Sequence, residues 1–132
     1  MVRNILSVIA GLAVAILTFL MAESANHSLH PTPSNLDFNN SEVVKSFYDN
    51  QPISYWLMVL FGWAIGSFLC GLLIKKISKS NKQSLPIIGG IILTLSAVTN
   101  FYLLPHPTWF IIIGLLVFIP STLLGYALPK KK

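Results

Sequence analysis

Charged side chains are scarce in this sequence. They make up 10% of its 132 residues against 54% hydrophobic ones, which excludes an ordinary water-soluble domain, where about 25% are charged. Acidic groups are scarcer still, four against nine Lys and Arg, for a formal net charge of +5. That excess does not point to nucleic acid: the basic residues fall in short clusters beside apolar runs and form no solvated basic face. Cysteine is limited to Cys70, inside an apolar run, so one copy can build neither a disulfide nor a Cys-based zinc site. Cys70 reads as a small buried hydrophobe. Also missing are a nucleophile-base pair, a phosphate-binding loop and an ionisable group inside any apolar run, which leaves enzymatic chemistry without its usual parts.

Long apolar runs are what the chain has. A helix needs about 20 mostly apolar residues to cross a hydrocarbon layer of about 30 Å. Four stretches reach that length, at residues 5–22, 53–74, 85–104 and 109–128, and none contains Asp, Glu, Lys or Arg. They predict an all-α integral membrane protein, residues 1–132 forming one four-transmembrane-helix bundle. The first stretch also has features of a secretory signal peptide, with Arg3 before it and Ala22 and Ser24 suitably placed for cleavage. It is longer than the usual apolar core of about 7–15 residues, so it is expected to be a retained span.

Basic residues hold short loops on the cytoplasmic side. Arg3 precedes the first span, Lys75, Lys76, Lys79 and Lys82 follow the second, and Lys130, Lys131 and Lys132 follow the fourth. The other side holds Lys45 and every acidic residue: Glu23, Asp37, Glu42 and Asp49. The expectation is N and C termini in the cytoplasm, a cytoplasmic loop at 75–84 and an outer loop at 23–52, with the lysine clusters also suited to anionic lipid. Tyr55, Trp56, Tyr102, Trp109 and Tyr126 stand near span boundaries, where amphipathic rings settle; Trp63 lies deeper and reads as a packing residue.

Helices in lipid pack tightly through small residues that let backbones approach. Ser7, Gly11 and Ala15 form one such stripe and Gly62, Gly66 and Cys70 another, each at spacings of four, and the two are expected to face each other. Gly89, Gly90 and Thr94 serve the third span, and Gly114, Thr122 and Gly125 the fourth. These stripes are expected to join helices within one copy rather than to build a homo-oligomer. Pro120 should kink the fourth span.

The outer loop is too long for a simple turn. Residues 23–30 can continue the first helix, and Pro31 and Pro33 then force extended chain. Residues 39–48 read as a short amphipathic helix capped by Asn39 with Glu42 three residues on, its apolar face formed by Val43, Val44, Phe47 and Tyr48. On a continued first helix, Glu23, His27 and His30 fall on one face, and His106, in the Pro105-His106-Pro107 turn, lies on the same side of the membrane. Carboxylate and imidazole donors suit a divalent transition metal, which makes these four a candidate metal site. The competing expectation is a structural hydrogen-bond cluster joining the first helix to the outer turn, with help from Thr99 and Asn100.

Glu23 with Asn26-His27, Leu29-His30-Pro31-Thr32-Pro33, Leu36-Asp37, Gly62-Trp63-Ala64-Ile65-Gly66 and Pro105-His106-Pro107-Thr108-Trp109 give the chain a likeness to a family of short bacterial four-span membrane proteins. It resembles that uncharacterised family over most of its length. The resemblance implies a bacterial inner membrane and a periplasmic outer loop, and it implies no activity. Three functions remain in competition. The first is a structural or accessory protein associating with a larger membrane complex; the second is a metal-dependent protein using Glu23, His27, His30 and His106. The third, a small transporter or channel, has only scattered Ser, Thr and Asn residues from which to build a path.

Overall fold

The computed structural model describes residues 1–31, 33–79 and 81–128. Lys130, Lys131 and Lys132 lie outside the described residues. Five helices follow one another: α1 (Val2–Leu29), α2 (Ser41–Asp49), α3 (Ile53–Ile77), α4 (Ser84–Leu103) and α5 (Thr108–Ala127), with no strand among the described residues. Prolines punctuate them. Pro31 follows the end of α1, Pro52 and Pro107 occupy the residues before α3 and α5, and Leu104, held extended by Pro105, ends α4. Pro86 is tolerated in the first turn of α4, whose amide groups have no intrahelical partner to lose. α5 continues through Pro120, which is exposed.

α1, α3, α4 and α5 are long and apolar enough to cross a membrane, and only 22–44% of their most apolar 18-residue windows is buried within the protein. Large apolar side chains such as Leu17, Phe61, Leu95 and Leu116 point outward, each at least 60% exposed. A bundle of such helices that leaves these groups uncovered is suited to an apolar solvent.

α3 is the central helix, packed between α1 and α5, while α4 packs chiefly on α5. α1 runs antiparallel to α3. A Cβ on Gly11 would stand 2.8 Å from the Cys70 carbonyl oxygen, and one on Gly66 would stand 2.5 Å from the Phe19 ring. Ser7, Ala15 and Cys70 are completely buried, so the two small-residue stripes lie at this contact. α5 runs parallel to α3 at still closer range, with Gly71 against the Thr122 carbonyl and Gly125 against the Phe68 carbonyl. Gly71 was not part of the expected stripes.

This path brings the chain start, the α3–α4 connection and the end of α5 to one end of the bundle. There Arg3 Nε donates to the Ile77 carbonyl at 2.6 Å, and the Lys75 ammonium stands 4.8 Å from the centre of the Tyr126 ring. Tyr126 is buried beneath it and does not face outward as an anchor at a membrane boundary. α2, the residues 33–40 before it and the 104–107 turn occupy the opposite end.

Candidate functional site

The α2 end is where polar groups and rings converge. α2 is capped one residue later than expected, by Asn40 instead of Asn39, and begins at Ser41. Asp37 Oδ1 accepts from the Asn39 amide, and Asn40 is the cap, its Oδ1 accepting from the amides of Glu42 and Val43. Val44 is buried and Phe47 and Tyr48 half-buried, but Val43 is 40% exposed. The apolar face is thus narrower than expected, and Tyr48 carries α2 onto α3, its ring 6.3 Å from Tyr55 and 6.1 Å from Trp56.

His30 closes the junction of α1 and α3. Its Nδ1 donates to Asn26 Oδ1 at 2.9 Å, and its Nε2 shares a hydrogen bond with Ser54 Oγ at 3.2 Å. Asn26, 2% exposed, also donates through Nδ2 to the Tyr55 carbonyl. A hydrogen-bond cluster therefore ties α1 to the first turn of α3, not to the 104–107 turn. Thr99 takes no part, since its hydroxyl donates to the Leu95 carbonyl of its own helix.

His106 is held separately. Its Nδ1 lies 2.8 Å from the Leu104 carbonyl oxygen, which can only accept, so Nδ1 carries the hydrogen and Nε2 is left as the acceptor. The ring stacks on Phe110 at 5.3 Å and stands 5.4 Å from Trp56. Burial pushes its pKa below the ordinary 6.5, outweighing the opposing bond to Leu104, and the ring is neutral at pH 7.

The four expected metal donors are thus divided. Glu23 is exposed and borders a cavity that His106 also lines. His30 has both ring nitrogens engaged, and His27 is exposed on the last turn of α1. Among the described residues, no group of three or more His, Cys, Asp or Glu could hold a metal ion.

The cavity measures about 260 Å³. α1 supplies Phe19, Ala22 and Glu23, α2 supplies Tyr48, and α3 supplies Tyr55, Trp56, Val59 and Trp63. Asn100, Leu104 and His106 close the remaining side. Trp63, 9% exposed, lies about 10 Å below Trp56 along α3, two helical turns in. Among the described residues that line it, Glu23 brings the only formal charge at pH 7, and none is Lys or Arg. The Tyr48 hydroxyl pKa is raised, first by burial and then by the negative charge of Glu23.

Sequence reasoning reads Tyr55 and Trp56 as boundary anchors and Trp63 as a packing residue, and Trp63 does pack, its ring 5.2 Å from both Phe110 and Phe118. The signal it passed over was their spacing: Tyr55, Trp56, Val59 and Trp63 fall on one face of a helix, a concentration of rings that a lipid boundary alone does not require. No family model, curated protein or solved structure matches the chain.

Proposed function

We propose that this chain is a multi-pass accessory protein of the bacterial inner membrane. Its termini and the 75–84 loop are cytoplasmic, and it meets its ligand or partner through the periplasmic cavity at the α2 end. The carrying observation is the placement of that cavity. It lies at the end opposite Arg3 and Lys75, beside the acidic Glu23, and it is where rings, an amide and an imidazole come together. Basic residues mark the cytoplasmic end of such a bundle, so the cavity opens to the periplasm. α2, amphipathic and seated through side chains, caps the bundle there.

Transport has less support. Ser7, Thr18, Thr94, Ser96, Thr99 and Thr122 each donate to a backbone carbonyl three or four residues back on their own helix. Their hydroxyls satisfy the helices and do not line a polar path. The metal reading is weakened in turn by the engagement of His30 with Asn26 and Ser54.

Cysteine labelling tests the orientation, because the native Cys70 is buried. Ser24→Cys should react with a membrane-impermeant maleimide in cells whose outer membrane has been permeabilised, and Gln83→Cys only after the inner membrane is opened. The reverse pattern overturns the orientation. Purification in mild detergent should recover a stoichiometric membrane partner; a lone monomer counts against the accessory role.

A further inference from the structure

The chemistry of the cavity walls points to a ligand class. We propose, resting on the reading of the cavity as a ligand site, that it binds a small organic cation of the alkylammonium type, held by Glu23 at the rim and by the ring faces of Tyr48, Tyr55, Trp56 and Trp63.

Three observations converge on this class. Three of the rings are contiguous, with Tyr55 and Trp56 4.9 Å apart and Tyr48 6.3 Å and 6.1 Å from them, and Trp63 lines the cavity deeper along α3. Grouped ring faces of Tyr and Trp attract ammonium groups, most strongly where water is partly excluded. Among the described lining residues the only formal charge is the Glu23 carboxylate, and its field reaches inward to Tyr48. A half-buried, neutral His106 offers no positive charge that would draw an anion. The volume of about 260 Å³ falls below the roughly 300–1,000 Å³ of sites for drug-sized ligands, which suits a choline-sized molecule. A hard metal ion is disfavoured, since one carboxylate and one imidazole fall short of a coordination sphere.

Neutral alternatives differ from this proposal in one respect, the charge. The probes are therefore choline and its uncharged isostere 3,3-dimethylbutan-1-ol, titrated into the full-length protein in detergent with quenching of Trp56 and Trp63 fluorescence as the readout. Choline should quench saturably and bind roughly ten-fold more tightly than the isostere. Glu23→Gln should remove most of that preference. Glu42→Gln, the same charge change on α2 away from the cavity lining, should leave it intact. Tyr48→Leu should weaken choline binding, and Tyr48→Phe, which keeps the ring, should restore it. A lipid headgroup carries the same ammonium chemistry, and nanodiscs separate the two sources. If ethanolamine headgroups fill the site, adding phosphatidylethanolamine to phosphatidylglycerol discs raises the apparent Kd for choline; if the ligand is a free cation, both discs give the same Kd. Equal affinity for choline and its isostere overturns the cation class and leaves the cavity as a ligand site. Saturable quenching by neither overturns the proposal and the ligand role of the cavity together, while the labelling of Ser24→Cys still decides orientation independently.

Discussion

The indole of Trp56 and the imidazole of His106 stand 5.4 Å apart, centroid to centroid, joining the start of α3 to the turn between α4 and α5. This contact half-buries the imidazole and makes its protonation costly. The folded protein holds the His106 pKa below its ordinary 6.5 through burial, so the unfolded chain takes up this proton first as pH falls. The stabilising contribution is complete above pH 6.5 and is lost as pH falls through the window between 6.5 and the lower folded-state value. Thermal unfolding should show a lower Tm at pH 5 than at pH 7.5, and His106→Asn, which keeps a donor for the Leu104 carbonyl, should show a smaller drop. Identical pH slopes for the two proteins would remove His106 from the account.

Gly71 and Gly125 are where α3 and α5 touch backbone to backbone. A Cβ on Gly71 would enter the Thr122 carbonyl and one on Gly125 the Phe68 carbonyl, and main chain cannot swing aside as a flexible side chain can. Gly71→Ala and Gly125→Ala should each destabilise by about 1–3 kcal/mol, the usual range for overpacking. Gly89 is the internal control. A Cβ there would meet Cys70 Sγ and Ile74 Cδ1 at 3.4 Å, ordinary contact, so Gly89→Ala should be neutral or slightly stabilising, helped by better helix propensity. Retention of the monomer peak after heating in detergent ranks the three; equal loss in all would show that the α3–α5 approach is not limiting.

Asn26 should be the most sensitive polar residue at the α2 end. Its amide accepts from His30 and donates to the Tyr55 carbonyl while 2% exposed. Asn26→Ala leaves the His30 Nδ1–H without its acceptor and should cost about 1–3 kcal/mol. Ser28→Ala removes an exposed hydroxyl bonded within its own helix and should change stability by less than about 0.5 kcal/mol. Amide hydrogen exchange over residues 24–30 reports the same event locally: protection there should fall in Asn26→Ala and hold in Ser28→Ala.

What could be read in advance divides along physical lines. The four long apolar helices were legible because one property, apolar length, marks them. The stripes Ser7-Gly11-Ala15 and Gly62-Gly66-Cys70 were legible because close helix approach demands small residues at fixed spacing. Gly71 escaped because it lies beside the Gly62-Gly66-Cys70 stripe, on the face of α3 turned to α5. The cap of α2 was misplaced because Asn39 and Asn40 carry the same side chain, and only the folded geometry shows that it is Asn40 Oδ1 that accepts from the amides of Glu42 and Val43. His30 was read as a metal donor because its partner Ser54 is 24 residues away, and periodicity along one helix carries no information about a side chain on another.

Ser67 offers the opposite case to Asn26, a buried polar group whose removal should help. It is completely buried in α3, the helix at the centre of the bundle, and its Oγ has no hydrogen-bond partner among the described residues. The other hydroxyls at the helix contacts differ from it: Ser7 and Thr122 both donate to backbone carbonyls three residues earlier. An unpaired hydroxyl in an apolar setting carries a desolvation penalty with no compensating bond. Ser67→Ala therefore should leave Tm unchanged or raise it. Ser67→Val would add volume at a position with no space exposed to lipid and should lower it. If Ser67→Ala instead lowers Tm by several degrees, the hydroxyl is bonded in the native protein, and α3 holds a polar contact in the middle of the bundle.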